Sequence, residues 1–256
     1  MTTAKKTPPP GKPVAANDDS RGLALAPNRP DWVDPHSHQG SEDITANDIT
    51  LPRIEVLQAL SPQLKKNEAV YIEGSEQGQI FNTISGEIYG DHVVVVPILF
   101  QRQFILWQDR KLGGGFAGSF TTEVDAELER DSKEKPDDYE VAEHHINYCL
   151  VLHENGNMEE AVLSWARTKL KASRRLNALV QMNPGDRFSR AYRLRSVEAS
   201  SPKGDYWTFD ISPMGYVPKD IFDRAAAIYA AIKGGERKVD YGVNEGDEPA
   251  HDDAKV

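Results

Sequence analysis

The stretch HINYCLVLHENGNMEEAVLSWA, residues 145–166, limits the fold more than any other part of the chain. Two runs rich in strand-forming residues flank Asn155-Gly156, a pair that tolerates the positive φ of a tight hairpin turn. An antiparallel hairpin is therefore expected here, and with it a fold organised on antiparallel sheet. The single cysteine, Cys149, lies inside the first run, which excludes an internal disulfide. In those surroundings it reads as a small buried hydrophobe rather than a nucleophile.

Other segments extend the β pattern. Val93 to Phe100 is apolar at every position, so it reads as a central strand covered on both faces. Pro97 inside it predicts a bulge or bend, because proline cannot donate to a ladder. The extended pattern continues through Arg102, Phe104, Leu106 and Trp107. QIFNTISGEIYG reads as two short strands around Ser85-Gly86. RFSRAYRLRSVEA and DYWTFDISPMGY form another hairpin pattern around SSPKG, with Trp207, Phe209 and Ile211 inward at period two. Three helices are expected. The first covers DITLPRIEVLQALSP, where Leu51, Ile54 and Leu57 recur at helical spacing before Ser61-Pro62. The second runs from about Thr168 to Met182. The third, DIFDRAAAIYAAIKGG, is amphipathic and stops at Gly234.

The glycine-rich LGGGFAGSF lacks the Gly-Lys-Ser/Thr ending of a Walker loop and does not match the dinucleotide fingerprint, so it reads as a mobile loop. Residues 121–143 hold ten carboxylates against three basic residues, a net charge of −7. A run this dense reads as a solvated excursion rather than a metal site. Residues 1–45 and 237–256 hold few core-forming residues and are expected to be disordered, the second being acidic. His36 and His38 in the first tail lack partners at metal-ligand spacing. Residues 46–236 form the single globular domain. No apolar run approaches a membrane span, and no secretory signal opens the chain, so a soluble intracellular protein without disulfides, metal or cofactor is expected.

The charge distribution points to function. The whole chain carries a formal net charge of −10, yet Trp165 to Arg195 holds nine basic residues and one acid, a net charge of +8. Arg167, Lys171, Arg174 and Arg175 stand at i, i+4, i+7 and i+8, one stripe of a helix. Like charges so placed repel by a few tenths of a kcal/mol per pair. A polyanionic partner would explain why the stripe persists, since each phosphate neutralised releases a counterion. Aromatic residues interleave with the cations, as single-stranded nucleic acid requires: bases stack on rings while the backbone follows the charge. The candidate binding residues are Arg102, Trp107, Arg110, Lys111, Arg167, Lys169, Lys171, Arg174, Arg175, Arg190, Tyr192, Arg193, Arg195 and Tyr206. Trp107, Tyr192 and Tyr206 are the expected base-stacking rings. Trp165 and Trp207 are expected to be at least partly buried.

DITLPRIEVLQALSPQLKKNEAVYIEG, FNTISGEIYG, VVVVPILFQRQFILWQDRKLGGGFAG and LSWARTKLKASRRLNAL together resemble a set of small tailed-bacteriophage proteins related to single-stranded-DNA-binding proteins. The resemblance covers about residues 45–180. It implies a mainly β, α+β fold: an OB-like antiparallel barrel flanked by two or three helices. It further implies action in phage replication or recombination within the cytoplasm of an infected bacterium. The expected partner is single-stranded DNA, with the acidic C-terminal tail offered to replication or recombination proteins. Two alternatives stand beside this reading. One is a protein-interaction factor, a virion component or inhibitor of a host protein, whose basic patch meets an acidic partner. The other is a metal-dependent nuclease, for which the sequence supplies no D-x-D or H-x-H core in an ordered element.

Overall fold

The 17-residue strand β4, His92–Gln108, organises the protein. The structure, a computed structural model, describes residues 30–34, 37, 39–44, 50–109, 112–202 and 204–234. It divides into two units, Met1–Asp43 and Ile44–Val256. The described part of the first unit consists of turns, one closed by Val33 N–H donating to the Pro30 carbonyl at 3.0 Å. His36, His38 and the C-terminal tail lie outside the described residues.

In the second unit β4 is paired with β6 (Tyr139–Leu152) along nearly its whole length. Its other edge is shared: β8 (Arg190–Ser201) pairs with His92–Val95, and β5 (Phe116–Phe120) pairs with Phe104–Trp107. β7 (Met158–Ala166) lies outside β6, and β9 (Gly204–Tyr216) outside β8, giving the order β7-β6-β4-β8-β9. Every pairing is antiparallel. The Asn155-Gly156 hairpin forms as β6–β7, with Gly156 at φ 84°. Pro97 marks the expected irregularity, a register shift between Pro97 and Leu99. LGGGFAGSF contributes β5, so its second half is strand rather than loop.

A second sheet of three short strands, β1 (Ile54–Val56), β2 (Ile80–Asn82) and β3 (Ile88–Gly90), includes the expected hairpin around Ser85-Gly86. It also corrects the first predicted helix. Ile54 and Val56 point into the core and Glu55 less so, an alternation of period two. The spacing of Leu51, Ile54 and Leu57 fits a helix equally well, and pairing with β2 decided the matter. Residues 65–79 run as turns ahead of β2.

Three helices complete the unit: α1 (Glu123–Asp131), α2 (Leu170–Gln181) and α3 (Lys219–Lys233). The large sheet is buried on both faces, as its apolar central strand predicts. On one face Val93, Val95, Cys149, Leu163, Trp165 and Ile211 meet Ala172 and Leu176 of α2 and Ile54, Val56 and Ile80 of the small sheet. On the other, Val96, Ile98, Tyr148 and Leu150 meet Ala225 and Ile228 of α3. The acidic excursion folds in part: Thr122 caps α1 by accepting from the Asp125 N–H at 3.1 Å, and residues 139–143 belong to β6.

The pairing among described strands is that of an open sheet, so the expected closed barrel is not formed by strand-to-strand hydrogen bonds. Residues 52–58 nevertheless reach both of its edges. The Val162 N–H of β7 donates to the Pro52 carbonyl at 2.9 Å. At the other edge the Gln58 side-chain amide imitates a strand: its nitrogen donates to the Trp207 carbonyl at 2.8 Å and its oxygen accepts from the Trp207 N–H at 2.8 Å. Each edge strand is thereby engaged at one point, Val162 on β7 and Trp207 on β9.

Candidate nucleic-acid interface

α2 carries the basic stripe because Leu176 and Ala172 turn the opposite side of the helix into the core. Ser173 is fully buried beneath it. The stripe leads from β7 through a 3-10 turn that begins at Arg167, a residue held at φ 52°. Left-handed backbone at a side chain of this size carries strain of roughly 1–3 kcal/mol.

Six of the predicted cations meet the protein's own acids. Arg102 Nε lies 3.2 Å from Glu143 Oε1, and Arg174 Nη2 lies 3.5 Å from Glu143 Oε2. Arg167 Nη2 donates to Glu140 Oε1 at 2.5 Å, and Lys169 pairs with Glu55. Asp210 on β9 receives Arg175 at 2.8 Å and Arg195 at 3.9 Å. The acidic stretch is therefore not wholly a solvated excursion. β6 runs between β4 and β7, which sets Glu140 and Glu143 beside Arg167 and Arg102. Arg110 and Lys111 lie outside the described residues.

Four cations of the block have no carboxylate partner among the described residues. Lys171 and Arg193 are exposed. Arg187 and Arg190 are bound by neutral groups instead. Arg187 Nη2 donates to Asn147 Oδ1 at 2.6 Å and to Asn177 Oδ1 at 2.9 Å, and its guanidinium lies 5.7 Å from the Phe100 ring centre. Arg190 donates to Asn183 Oδ1 and stacks on Tyr216 at 4.4 Å. Burial lowers the Arg187 pKa to about 10, as expected for a guanidinium short of counter-charge.

The rings differ from the sequence expectation. Trp107 is 2 % exposed, packed with Ile105 and Ala142 and meeting Phe116 edge-on at 6.2 Å. Tyr192 is 1 % exposed. Tyr192 alternates inward with Leu194 along β8, into the core that α2 covers. Neither ring presents a face on which a base can stack. Trp165 is fully buried, and Trp207 is partly buried against the same core. Tyr206 is half-buried; its partner across the ladder is Ala199, on the same face of β8 as Arg193 and Arg195. The exposed ring that sequence reasoning missed is Tyr216, 62 % exposed at the end of β9. Arg187 belonged to the basic block but was not among the candidate binding residues. The asparagines that hold it come from α2, ten residues away, and from β6, forty residues away.

One further network has the wiring of a catalytic triad. His145 Nδ1 shares a hydrogen bond with Ser173 Oγ at 2.8 Å, and Nε2 with Glu143 Oε1 at 3.0 Å. Both Ser173 and His145 are buried, so no substrate reaches the hydroxyl, and the network ties α2 to β6. Burial holds the His145 pKa down, opposed by the Glu143 hydrogen bond. The Cys149 thiol is likewise buried, and burial raises its pKa away from the reactive thiolate. Among the described residues no group of three or more histidines, cysteines or carboxylates is placed to hold a metal.

The family model described as "Pam3 phage gp34-like protein" matches residues 20–238. The chain belongs to the Pam3 phage gp34-like family. The match spans all nine strands and three helices, so the arrangement above lies within the region shared with this phage family. No curated protein and no solved structure matches the chain. Among the described residues no helix is long and apolar enough to cross a membrane.

Proposed function

We propose that this phage-family protein binds single-stranded DNA during replication or recombination and is not an enzyme. The observation that carries the reading is that Lys171, Arg187, Arg190 and Arg193 have no carboxylate partner among the described residues, and that one of them, Arg190, stacks on the exposed ring of Tyr216. Five of the six paired cations do not oppose it. Arg102, Arg167, Arg174, Arg175 and Arg195 are in solvent-exposed ion pairs. Such pairs contribute about 0–1 kcal/mol each, so phosphates can replace the carboxylates. An OB-like origin for the open sheet belongs to the same reading. Residues 52–58, which bond to both sheet edges, support it by taking the place of a closing strand. Titration of the protein with fluorescent oligothymidylate at low and high salt tests the function. Saturable binding that weakens steeply with salt is expected. No binding at low salt removes the proposal.

A second reading is a protein-interaction factor, and α1 is the observation that favours it. Val124 and Leu128 stand one turn apart, both exposed, on a helix whose other surface residues are mostly acidic. A partner that survives nuclease treatment in a pull-down and is lost in Leu128→Ser supports this reading over DNA binding.

A further inference from the structure

Arg187 and Arg190 stand three residues apart, in and just after the short 3-10 turn that follows α2. Their surroundings differ from those of every other arginine in the basic block with a described partner. Both donate only to asparagine oxygens: Asn147 and Asn177 for Arg187, Asn183 for Arg190. A guanidinium removed from water is costly when no anion compensates it. Here two are fixed by amide oxygens, and both act on the buried Tyr192.

The unsatisfied atoms in this cluster are all donors. Arg187 Nε, Arg190 Nε and Asn147 Nδ2 are buried and bond to nothing among the described residues. Asn147 is itself fully buried. Arg187 Nη1 and Arg190 Nη2 also make no hydrogen bond there. A cluster with spare N–H groups, positive charge and no acid lacks one thing, an anionic acceptor. The side-chain amides hold the guanidiniums in place beforehand without neutralising them, which is how a preorganised oxyanion site differs from a structural salt bridge. The ring of Tyr216, stacked on Arg190 and mostly exposed, borders the cluster with an aromatic surface.

We infer that Arg187 and Arg190 form a phosphate-binding site, with Arg190 the outer ligand and Arg187 the inner one. This deepens the DNA-binding reading and rests on it for the source of the phosphate, but free phosphate tests the site independently.

The experiment is calorimetric titration of the full-length protein with inorganic phosphate at constant ionic strength, repeated with Arg190→Gln and, as a control, Arg130→Gln on α1. Saturable binding is expected, about tenfold weaker in Arg190→Gln and unchanged in Arg130→Gln, whose guanidinium pairs with Asp131 away from the basic block. Absence of saturable phosphate binding in the wild-type protein overturns the inference, as does equal binding by Arg190→Gln. Oligothymidylates with a 5′-phosphate or a 5′-hydroxyl then distinguish the source. Tighter binding of the phosphorylated strand, lost in Arg190→Gln, assigns a terminal phosphate; equal binding of the two strands, weakened alike by the substitution, assigns a backbone phosphate. Oligonucleotide binding without phosphate binding leaves the DNA-binding proposal standing and removes this site. Phosphate binding without oligonucleotide binding does the reverse.

Discussion

His144 sits on β6 with 1 % of its surface exposed and with Nε2 lacking an acceptor. Burial lowers its pKa to about 4, with Arg53 and Arg167 acting in the same direction and Glu55 against it. In the unfolded chain an imidazole titrates near pH 6.5. Between those two values the unfolded chain takes up a proton that the folded one refuses. Stability therefore falls as the pH drops from about 6.5 to about 4, by on the order of 3 kcal/mol in total. Urea midpoints at pH 7.5 and 4.5 should show this loss, and His144→Leu should show less of it. An equal acid loss in the variant would assign the effect to other groups. Tyr216 gives a second test at this scale. If its exposed ring stacks on a base, Tyr216→Ala should weaken oligothymidylate binding by roughly 1–3 kcal/mol, while Tyr192→Phe, within the core, should change it little. The contrast between these two tyrosines was not legible in the sequence. The β8–β9 ladder skips Met214, so an extra residue on β9 changes which side chains beyond it share a face with Tyr192, and nothing in ISPMGY announces where it falls.

At the scale of elements, the small sheet is fastened to the large one at Trp207. The Gln58 amide bonds its backbone, and the ring lies over Gly78. A Cβ at Gly78, where φ is +85°, would approach the ring carbons to 2.9 Å. Gly74, at φ +74°, faces open space. Gly78→Ala should therefore be destabilised more than Gly74→Ala, whose cost is that of the backbone alone, roughly 1–2 kcal/mol. Equal shifts in thermal midpoint would mean that the ring gives way freely. The packing of α2 is tested by Leu176→Ala, expected to cost roughly 2–5 kcal/mol because the side chain is fully buried between helix and sheet. The hairpins at Asn155-Gly156 and Ser85-Gly86 were legible because turn chemistry is local. β1 was not: its few apolar residues satisfy both a helical and a strand period, and only β2 and β7 as neighbours select the strand.

For the whole molecule, the basic block within an acidic chain is offset by acids that the fold brings to it. Glu143 holds two arginines at once, Arg102 and Arg174. Glu143→Gln releases both, so it should raise affinity for oligothymidylate at low salt and steepen the logarithmic salt dependence by up to about 1.4. An unchanged slope would show that neither arginine reaches a phosphate. The acidic residues 240–256 lie outside the described residues, and their charge alone argues for competition with the same partner. Deleting them should tighten DNA binding, and unchanged or weaker affinity would count against competition.

By itself the sequence determined the antiparallel β character, the buried central strand with its break at Pro97, the positions of α2 and α3, and the existence of a concentrated positive charge. These follow from local periodicity, turn chemistry and counting. The tertiary structure alone decided which cations have acid partners, which rings remain in solvent, and how an open sheet is bridged at its two edges. Those outcomes depend on residues 15 to 149 positions apart meeting in the fold, and neither an ion pair nor a buried face is encoded in either partner alone.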